Sequence, residues 1–228
     1  MSLILCLETA TTVCSAALFA DEKLLAFREL NDGFTHAENL HLFIKGILEE
    51  TATNPNQLSA IAVSKGPGSY TGLRIGVSTA KGLAYALSIP LIGLETLQIM
   101  SAAAAQANPT AGLFSPMIDA RRMEVYTAIY DNHLQPLTPI TALILDEQSI
   151  GAFSQHSDLN FFGDGMPKAK DLLSSLKSAS FIPDIQPSAR FMGGLAYIKF
   201  QSATFEDTAY FEPYYLKEFQ AGKAKMGS

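Results

Sequence analysis

Cysteine is scarce in this 228-residue chain, which contains only Cys6 and Cys14. Two cysteines cannot make the disulfide framework of a small secreted domain, so the sequence predicts a reducing cytoplasm. Long apolar runs are also lacking, and those present are too short or too interrupted to span a bilayer. The apolar first residues carry no basic leader and no cleavage site, so we expect no secretory signal and no membrane association.

Basic residues are also fewer than acidic residues in this chain. The chain has 16 lysines and arginines against 22 aspartates and glutamates, which gives a formal net charge of −6. Independent binding to nucleic acid needs a basic field to neutralise phosphates, so we expect any contact with RNA to be made through a partner. What remains is the composition of a globular protein, with 48% hydrophobic residues.

The hydrophobic pattern predicts two α/β units with the same layout. In the first unit, β-rich runs at 3–8, 13–20 and 24–30 precede a helix at 36–50, a buried-type strand at 60–66 and a helix at 70–87. After a break at 105–112, a similar succession of strands returns. We therefore expect an amino-terminal lobe of residues 1–104, rejoined by about 206–228, and a carboxy-terminal lobe of residues 105–205. Each lobe is expected to be a mixed sheet with helices.

The segment SKGPGSYTGLRIGVSTAKGLAYAL contains five glycines between Gly66 and Gly82. It lacks the Lys-Ser/Thr pair of a P-loop, and its third glycine comes one residue too late for the dinucleotide-binding pattern G-x-G-x-x-G. Free backbone amides at the start of the following helix could still hold an anion, and Gly68 and Ser69 would supply them.

Small residues also recur every fourth position along that helix. We call Gly72, Gly76, Ala80 and Ala84 the small-residue ridge. A ridge without large side chains lets another backbone approach closely, and two interpretations follow. The ridge packs on the protein's own sheet, or it meets a helix of another chain.

The stretch SKGPGSYTGLRIGVSTAKGLAYALSIPLIGLETL closely resembles the corresponding segment of the bacterial TsaB (YeaZ) family. The opening LCLETATTVCSAAL, the hairpin MIDARRMEVYTAIYD and the late PYYL match the same family in the same order. The resemblance extends from about Leu3 to Leu216. It implies a reduced form of the two-lobed fold of actin, hexokinase and the Hsp70-type ATPases, which agrees with the duplicated layout.

The resemblance also implies a role. TsaB proteins are non-catalytic partners of the transferase TsaD, which works with the ATPase TsaE to make N6-threonylcarbamoyladenosine next to the anticodon of tRNA. A member of this family is expected to form a homodimer when alone, to bind no cofactor by itself, and to meet ATP or ADP only within the complex. The expected docking residues are on two helices: Gly72, Leu73, Ile75, Gly76, Val77, Ala80, Ala84, His36 and His41.

An enzymatic alternative is a degenerate ATPase, or a metal-dependent hydrolase of the glycoprotease type, that uses the cleft between the lobes. ATP-binding relatives of this fold hold phosphate in a turn after the opening strand, here Glu8 and Thr9 followed by Ala10. The same residues also suit a plain strand-end turn. In the second unit, Arg121 could clamp an anion or lie at the surface as an interface charge. The candidate anion contacts are therefore Glu8, Thr9, Gly68, Ser69 and Arg121.

Metal ligands and nucleophiles are not expected in this chain. His36 and His41 are five residues apart, which separates them by about 140° around a helix, whereas ligand pairs sit four apart. His36 is expected at the exposed first turn of its helix. No nucleophile elbow occurs, and both cysteines lie in apolar strands, so we predict no catalytic residue.

Overall fold

The computed structural model of the chain describes residues 1–33 and 35–217, which form two five-stranded mixed sheets. The first sheet has the order β3-β2-β1-β4-β5. In it, β1 pairs antiparallel with β2 and parallel with β4. Its strands are β1 (Leu3–Glu8), β2 (Val13–Ala20), β3 (Lys23–Asn31), β4 (Ala60–Gly66) and β5 (Leu91–Glu95).

The second sheet repeats this plan with the order β10-β9-β6-β7-β8. Its first strand, β6, again pairs antiparallel with the next strand along the chain and parallel with a later one. Its strands are β6 (Leu113–Asp119), β7 (Glu124–Thr127), β8 (Thr141–Ile144), β9 (Leu159–Phe162) and β10 (Ser180–Phe181). The predicted α/β class and the duplicated layout are thus confirmed.

In the part of the chain that the structure describes, five α-helices accompany the sheets: α1 (His36–Glu50), α2 (Tyr70–Leu87), α3 (Thr96–Ala107), α4 (Met166–Leu173) and α5 (Gly193–Gln201). The first two cover one face of the first sheet, because each has an apolar stripe at helical spacing. In α1 that stripe is Leu40, Ile44 and Ile47, all buried. Helix α3 packs between the sheets, where Leu97 and Met100 join the core of the second unit.

The other face of the first sheet is covered by a segment from late in the chain. Residues 189–201 pack there, with Met192 and Ala196 against Ile4. Ala189 also donates its backbone N–H to the Ser15 hydroxyl at 2.9 Å. By number these residues belong to the predicted carboxy-terminal lobe, yet they complete the core of the amino-terminal sheet. The lobe boundary itself stays a prediction.

The chain then returns to the first sheet. The backbone N–H of Glu206 donates to the Leu91 carbonyl at 2.9 Å, and Phe211 is buried in the core beneath α1 and α2. The rest of the predicted rejoining segment, residues 218–228, lies outside the described residues. Within residues 1–33 and 35–217, no helix has the length and apolar character needed to cross a membrane.

Candidate functional site

The turn between β1 and β2, residues 9–12, lies directly beneath α2. Thr9 and Ala10 are fully buried, and Thr11 is only 6% exposed. The Thr9 hydroxyl donates to the Gly72 carbonyl at 2.8 Å, and the Ser69 N–H donates to the Ala10 carbonyl at 2.7 Å. The start of α2 is therefore bonded to the β1–β2 turn rather than open to an external ligand.

The glycines explain how the helix comes so close to this turn. A Cβ atom on Gly72 would lie 2.1 Å from the Thr9 carbonyl oxygen, and one on Gly76 would lie 2.2 Å from the Thr9 hydroxyl oxygen. On Gly68 it would lie 2.3 Å from the Ala10 carbonyl oxygen. Real Cβ atoms do not approach other atoms this closely. Glycine is therefore required at these positions because the protein's own β1–β2 turn lies directly against them.

The small-residue ridge faces inward along its whole length, since all four of its residues are buried. Leu73 and Val77 are also buried, and Ile75 packs against the same core. Of the two interpretations of the ridge, the one in which it meets a helix of another chain is therefore wrong. The spacing correctly identified residues that share a face, but that face is occupied by the first sheet and its turn. Docking of another chain on other parts of α2 stays a prediction.

His36 was expected at an exposed helix start, and this is also wrong. Its side chain is 1% exposed, and its Nε2 lies 2.7 Å from the Thr11 carbonyl oxygen. The imidazole therefore buttresses the β1–β2 turn from the side of α1. His41 is exposed. Within the described ranges 1–33 and 35–217, no three His, Cys, Asp or Glu side chains are grouped closely enough to hold a metal ion.

Glu8 is fully buried where β1 meets the turn. Its Oε1 accepts hydrogen bonds from the Ala10 N–H at 2.6 Å and the Ser64 hydroxyl at 2.9 Å. Burial raises the pKa of this carboxyl to about 7, and the two hydrogen bonds offset part of that rise. Burial, with the nearby Glu8 charge, raises the pKa of the Cys14 thiol to about 11, and burial also raises that of Cys6. Neither thiol is therefore a ready nucleophile.

The outward side of α1 and α2 carries exposed apolar side chains. Tyr85 is 82% exposed and Leu42 of α1 is 55% exposed. A Cβ atom added at Gly82 would have no neighbouring atom within 4 Å. Gly82 lies outside the four-residue spacing of the ridge, and that offset was the available signal that it faces away from the core.

An aromatic corner forms where the late part of the chain crosses the start of α2. The Tyr70 and Tyr215 rings lie 4.9 Å apart, and the Arg74 guanidinium lies 4.9 Å from the centre of the Tyr70 ring. Next to it, the Tyr214 N–H donates to the Lys65 carbonyl at 2.6 Å. Lys217 then forms an ion pair with Glu124 of β7. The chain thus links the end of β4 to the second sheet.

The turn between β6 and β7, residues 120–123, differs from the β1–β2 turn. Arg121 and Arg122 are exposed, and both have left-handed backbones with φ of 66° and 49°. The Arg121 N–H donates to Asp119 at 2.7 Å, and Asp164 accepts from the Asp119 N–H at 2.9 Å. The candidate anion contacts are thus divided. Glu8, Thr9 and Ser69 are hydrogen-bonded to Ala10, Ser64 and Gly72 of the same unit, and Arg121 bonds within its own hairpin.

Similarity to known proteins identifies the family of this chain. A family model described as "TsaD: tRNA N6-adenosine threonylcarbamoyltransferase" matches residues 34–226. The chain belongs to this family, and within it to the TsaB (YeaZ) proteins. It is 39% identical over 127 residues to the tRNA threonylcarbamoyladenosine biosynthesis protein TsaB of Escherichia coli, covering 56% of this chain and 54% of that protein. The protein of the same name from Bacillus subtilis is 37% identical over 127 residues, with the same two coverages.

The matched part spans about half the length of these curated relatives. A solved structure from Pseudomonas aeruginosa, described as an uncharacterized protein with similarity to peptidase YEAZ, superimposes with a TM-score of 0.85 at 25% identity. It covers 95% of this chain and 100% of its own. A second structure, YeaZ from the same organism, has a TM-score of 0.81 at 24% identity with the same coverages, which shows a shared fold. This TsaB family member therefore shares its two-sheet fold with both YeaZ-like structures.

Proposed function

We propose that this chain is a non-catalytic subunit that binds and stabilises a TsaD-like transferase in the formation of N6-threonylcarbamoyladenosine in tRNA. The names of its relatives support the pathway. On this proposal the chain works in the cytoplasm beside a TsaE-like ATPase. ATP or ADP is bound within the assembled complex, and tRNA is contacted through the partners.

The observation that carries the proposal is the burial of Thr9, Ala10 and Thr11 in the β1–β2 turn beneath α2. Relatives of this two-lobed fold that use ATP hold phosphate in the turn after the opening strand. In this chain the Ala10 carbonyl bonds Ser69 and the Ala10 N–H bonds Glu8. Phosphate binding there would require α2 and His36 to move away from the turn. This arrangement favours a structural turn, with the chemistry supplied by a partner.

The outward side of α1 and α2 is the docking surface that we propose for the transferase. Leu42 and Tyr85 offer exposed apolar area. The open position at Gly82 allows a helix backbone of the partner to approach closely. This surface replaces the inward-facing small-residue ridge as the site at which a second chain meets α2.

Two measurements test the proposal. Titration calorimetry with the TsaD-like protein of the same genome should detect binding, and the double variant Gly82→Leu/Tyr85→Lys should abolish it while thermal unfolding changes little. Ile198→Lys is the matched control, because Ile198 is an apolar helix residue that is 63% exposed on α5. It should bind as the unchanged chain does.

The second measurement is mass spectrometry of nucleosides from a reconstituted reaction with tRNA, ATP and both partners. Omission of this chain should sharply lower the yield of the modified adenosine. Formation of the product, or hydrolysis of ATP, by the isolated chain would contradict the non-catalytic role. Normal binding by the double variant would leave the role standing but refute the docking surface.

A further inference from the structure

We propose that the edge strand β3 binds an extended segment of a partner protein, which adds to the first sheet as an antiparallel strand and places a basic side chain opposite Glu29. The bound segment has a basic residue followed, two positions later, by an aromatic or branched apolar residue. Its side chains enter a groove on the face of the sheet that α1 and α2 do not cover, so the inference does not depend on the proposed function.

The first observation is an apolar edge. Strand β3 ends the first sheet, and among residues 1–33 and 35–217 it pairs with β2 alone. It has nine residues, and four of its apolar side chains are more than a third exposed: Leu24, Leu25, Phe27 and Leu30. Natural edge strands are usually short or protected by proline and lysine. Strand β3 contains no proline, and its lysine is at the first position, so the edge is open to another strand.

The side chains of β3 alternate between the two faces of the sheet. On one face, Arg28 pairs with Glu50 of α1. On the other face, the Arg190 guanidinium lies 5.7 Å from the centre of the Phe27 ring, and the Ser188 hydroxyl donates to the Glu29 carboxylate. Phe27 and Glu29 therefore point away from α1 and toward residues 184–191.

A groove of about 680 Å³ lies on that side, between β3, the end of α3 and residues 184–191. Three phenylalanines line it: Phe19, Phe27 and Phe191. Residues that lie opposite each other in an antiparallel pair point to the same face of the sheet. Every second side chain of a strand added beside Phe27 and Glu29 would therefore enter the groove.

Charge selects the occupant of the groove. Glu22, Glu29 and Asp184 line it, against one basic lining residue, Arg190, in the part of the chain that the structure describes. Among residues 1–33 and 35–217, none of these three carboxylates forms an ion pair. A basic side chain of a partner protein complements this charge, whereas the phosphates of a nucleic acid would be repelled.

The backbone at the middle of β3 is open on its outer side. The Phe27 carbonyl accepts a hydrogen bond from the Arg28 guanidinium at 3.0 Å, which indicates that it points away from β2. In an antiparallel ladder, the N–H and C=O of every second residue point to the same side, so Phe27, Glu29 and Asn31 offer both groups to a new strand. The Arg28 side chain is 42% exposed, and exposed contacts contribute little, so the guanidinium can give way.

The same residues thus supply the open backbone and the side chains of the groove, and this sets the register. The two residues of the added strand opposite Glu29 and Phe27 bond to β3 and also project into the groove. A basic residue opposite Glu29 forms a cross-strand ion pair, and an aromatic residue opposite Phe27 packs against its ring. Because the added strand runs antiparallel, its basic residue comes first.

A capped, fluorescently labelled octapeptide, Ser-Thr-Val-Lys-Thr-Phe-Thr-Ser, is the probe, and anisotropy should show that it binds. Changing its lysine to glutamate, or Glu29→Lys in the chain, should each weaken binding by about fivefold or more, because like charges then lie opposite each other. The glutamate peptide should regain binding to Glu29→Lys. Glu147→Lys is the matched control, since Glu147 is an exposed residue of the second unit and makes the same change in charge.

Peptides with one N-methylated amide test the register. Methylation at the lysine removes a donor that points to β3 and should abolish binding. Methylation at the threonine between lysine and phenylalanine alters an amide that points away from β3, and this peptide should still bind. Circular dichroism melts confirm that each chain variant is folded.

Hydrogen exchange locates the bound peptide, which should protect the amides of Phe27, Glu29 and Asn31. Failure of the unmodified peptide to bind at millimolar concentration would overturn the proposal. So would equal effects of the two methylations, or no recovery with exchanged charges. Protection of β3 that rises with the concentration of the chain alone would assign the edge to a second copy and likewise overturn it.

Discussion

The two sheets share one strand order, and the turns after their first strands can be compared position by position. The β1–β2 turn is buried, bonded to α2 and buttressed by His36. The β6–β7 turn is exposed and carries Arg121 and Arg122 in left-handed conformations. Duplication of a fold therefore does not preserve the role of a turn, because the role depends on what packs over it.

The helices after the equivalent parallel strands explain the difference. Helix α2 follows β4, has 18 residues, and presents glycines to the β1–β2 turn. Helix α4 follows β9, has 8 residues, and begins beside the other turn without covering it. There, Lys168 pairs with Asp119 across the base of the β6–β7 turn. One turn is thus part of a core, and the other is a charged element at the surface.

The largest expected effect comes from filling the space between α2 and the buried turn. Gly76→Leu should lower the free energy of unfolding by at least about 3 kcal/mol, because the new side chain overlaps the Thr9 hydroxyl. Urea denaturation measures this. Gly82→Leu places the same side chain at an open position of the same helix and should raise stability by about 0.5 kcal/mol. Equal losses in both variants would refute the inward orientation of the ridge.

The next effect concerns the buried carboxyl at the β1–β2 turn. The pKa of Glu8 is raised from 4.5 to about 7, so between these values the unfolded chain releases its proton before the folded chain does. The unfolded state then binds fewer protons, and stability falls as the pH rises through this window. Glu8→Gln retains an acceptor for Ala10 and Ser64 without the charge. It should gain about 2 kcal/mol relative to the unchanged chain near pH 8.

Chemical denaturation at several pH values measures the Glu8 effect. The advantage of Glu8→Gln should disappear near pH 4, where the carboxyl is protonated in both states. An advantage that does not vary with pH would mean that Glu8 is ionised in the folded protein.

Removal of the His36 side chain, which supports the β1–β2 turn, should have a moderate effect on stability. His36→Ala removes a buried ring and its contact with the Thr11 carbonyl, which should cost about 1.5 kcal/mol. His41→Ala is the control on the same helix and should change stability by less than about 0.5 kcal/mol, because His41 is exposed. Thermal unfolding of both variants checks this. A larger loss in His41→Ala would contradict the assignment of roles.

The smallest effect is expected at the exposed turn. Arg121→Ala combined with Arg122→Ala should change the free energy of unfolding by no more than about 0.5 kcal/mol, as is usual for surface charges. Differential scanning calorimetry is the measurement. A clear loss of stability would show that the β6–β7 turn, like its counterpart, supports the fold.

Local structure was largely predictable from sequence. The bounds of α1 and α2 agree with the predicted helices at 36–50 and 70–87, because their apolar residues recur at helical spacing and their neighbours favour turns. The duplicated succession of strands was likewise visible, since each strand has its own β-rich run. The glycine-rich segment also made the family recognisable from the sequence alone.

The direction of the ridge and the burial of His36 were decided by tertiary structure alone. Spacing along a helix says which residues share a face, but a close-packed face looks the same in sequence whether it meets the protein's own turn or another chain. The partner of His36 is the Thr11 carbonyl, 25 residues earlier in the chain. Such contacts exist only after β1 has paired with β4 and brought the β1–β2 turn beneath α2, and no local pattern records that approach.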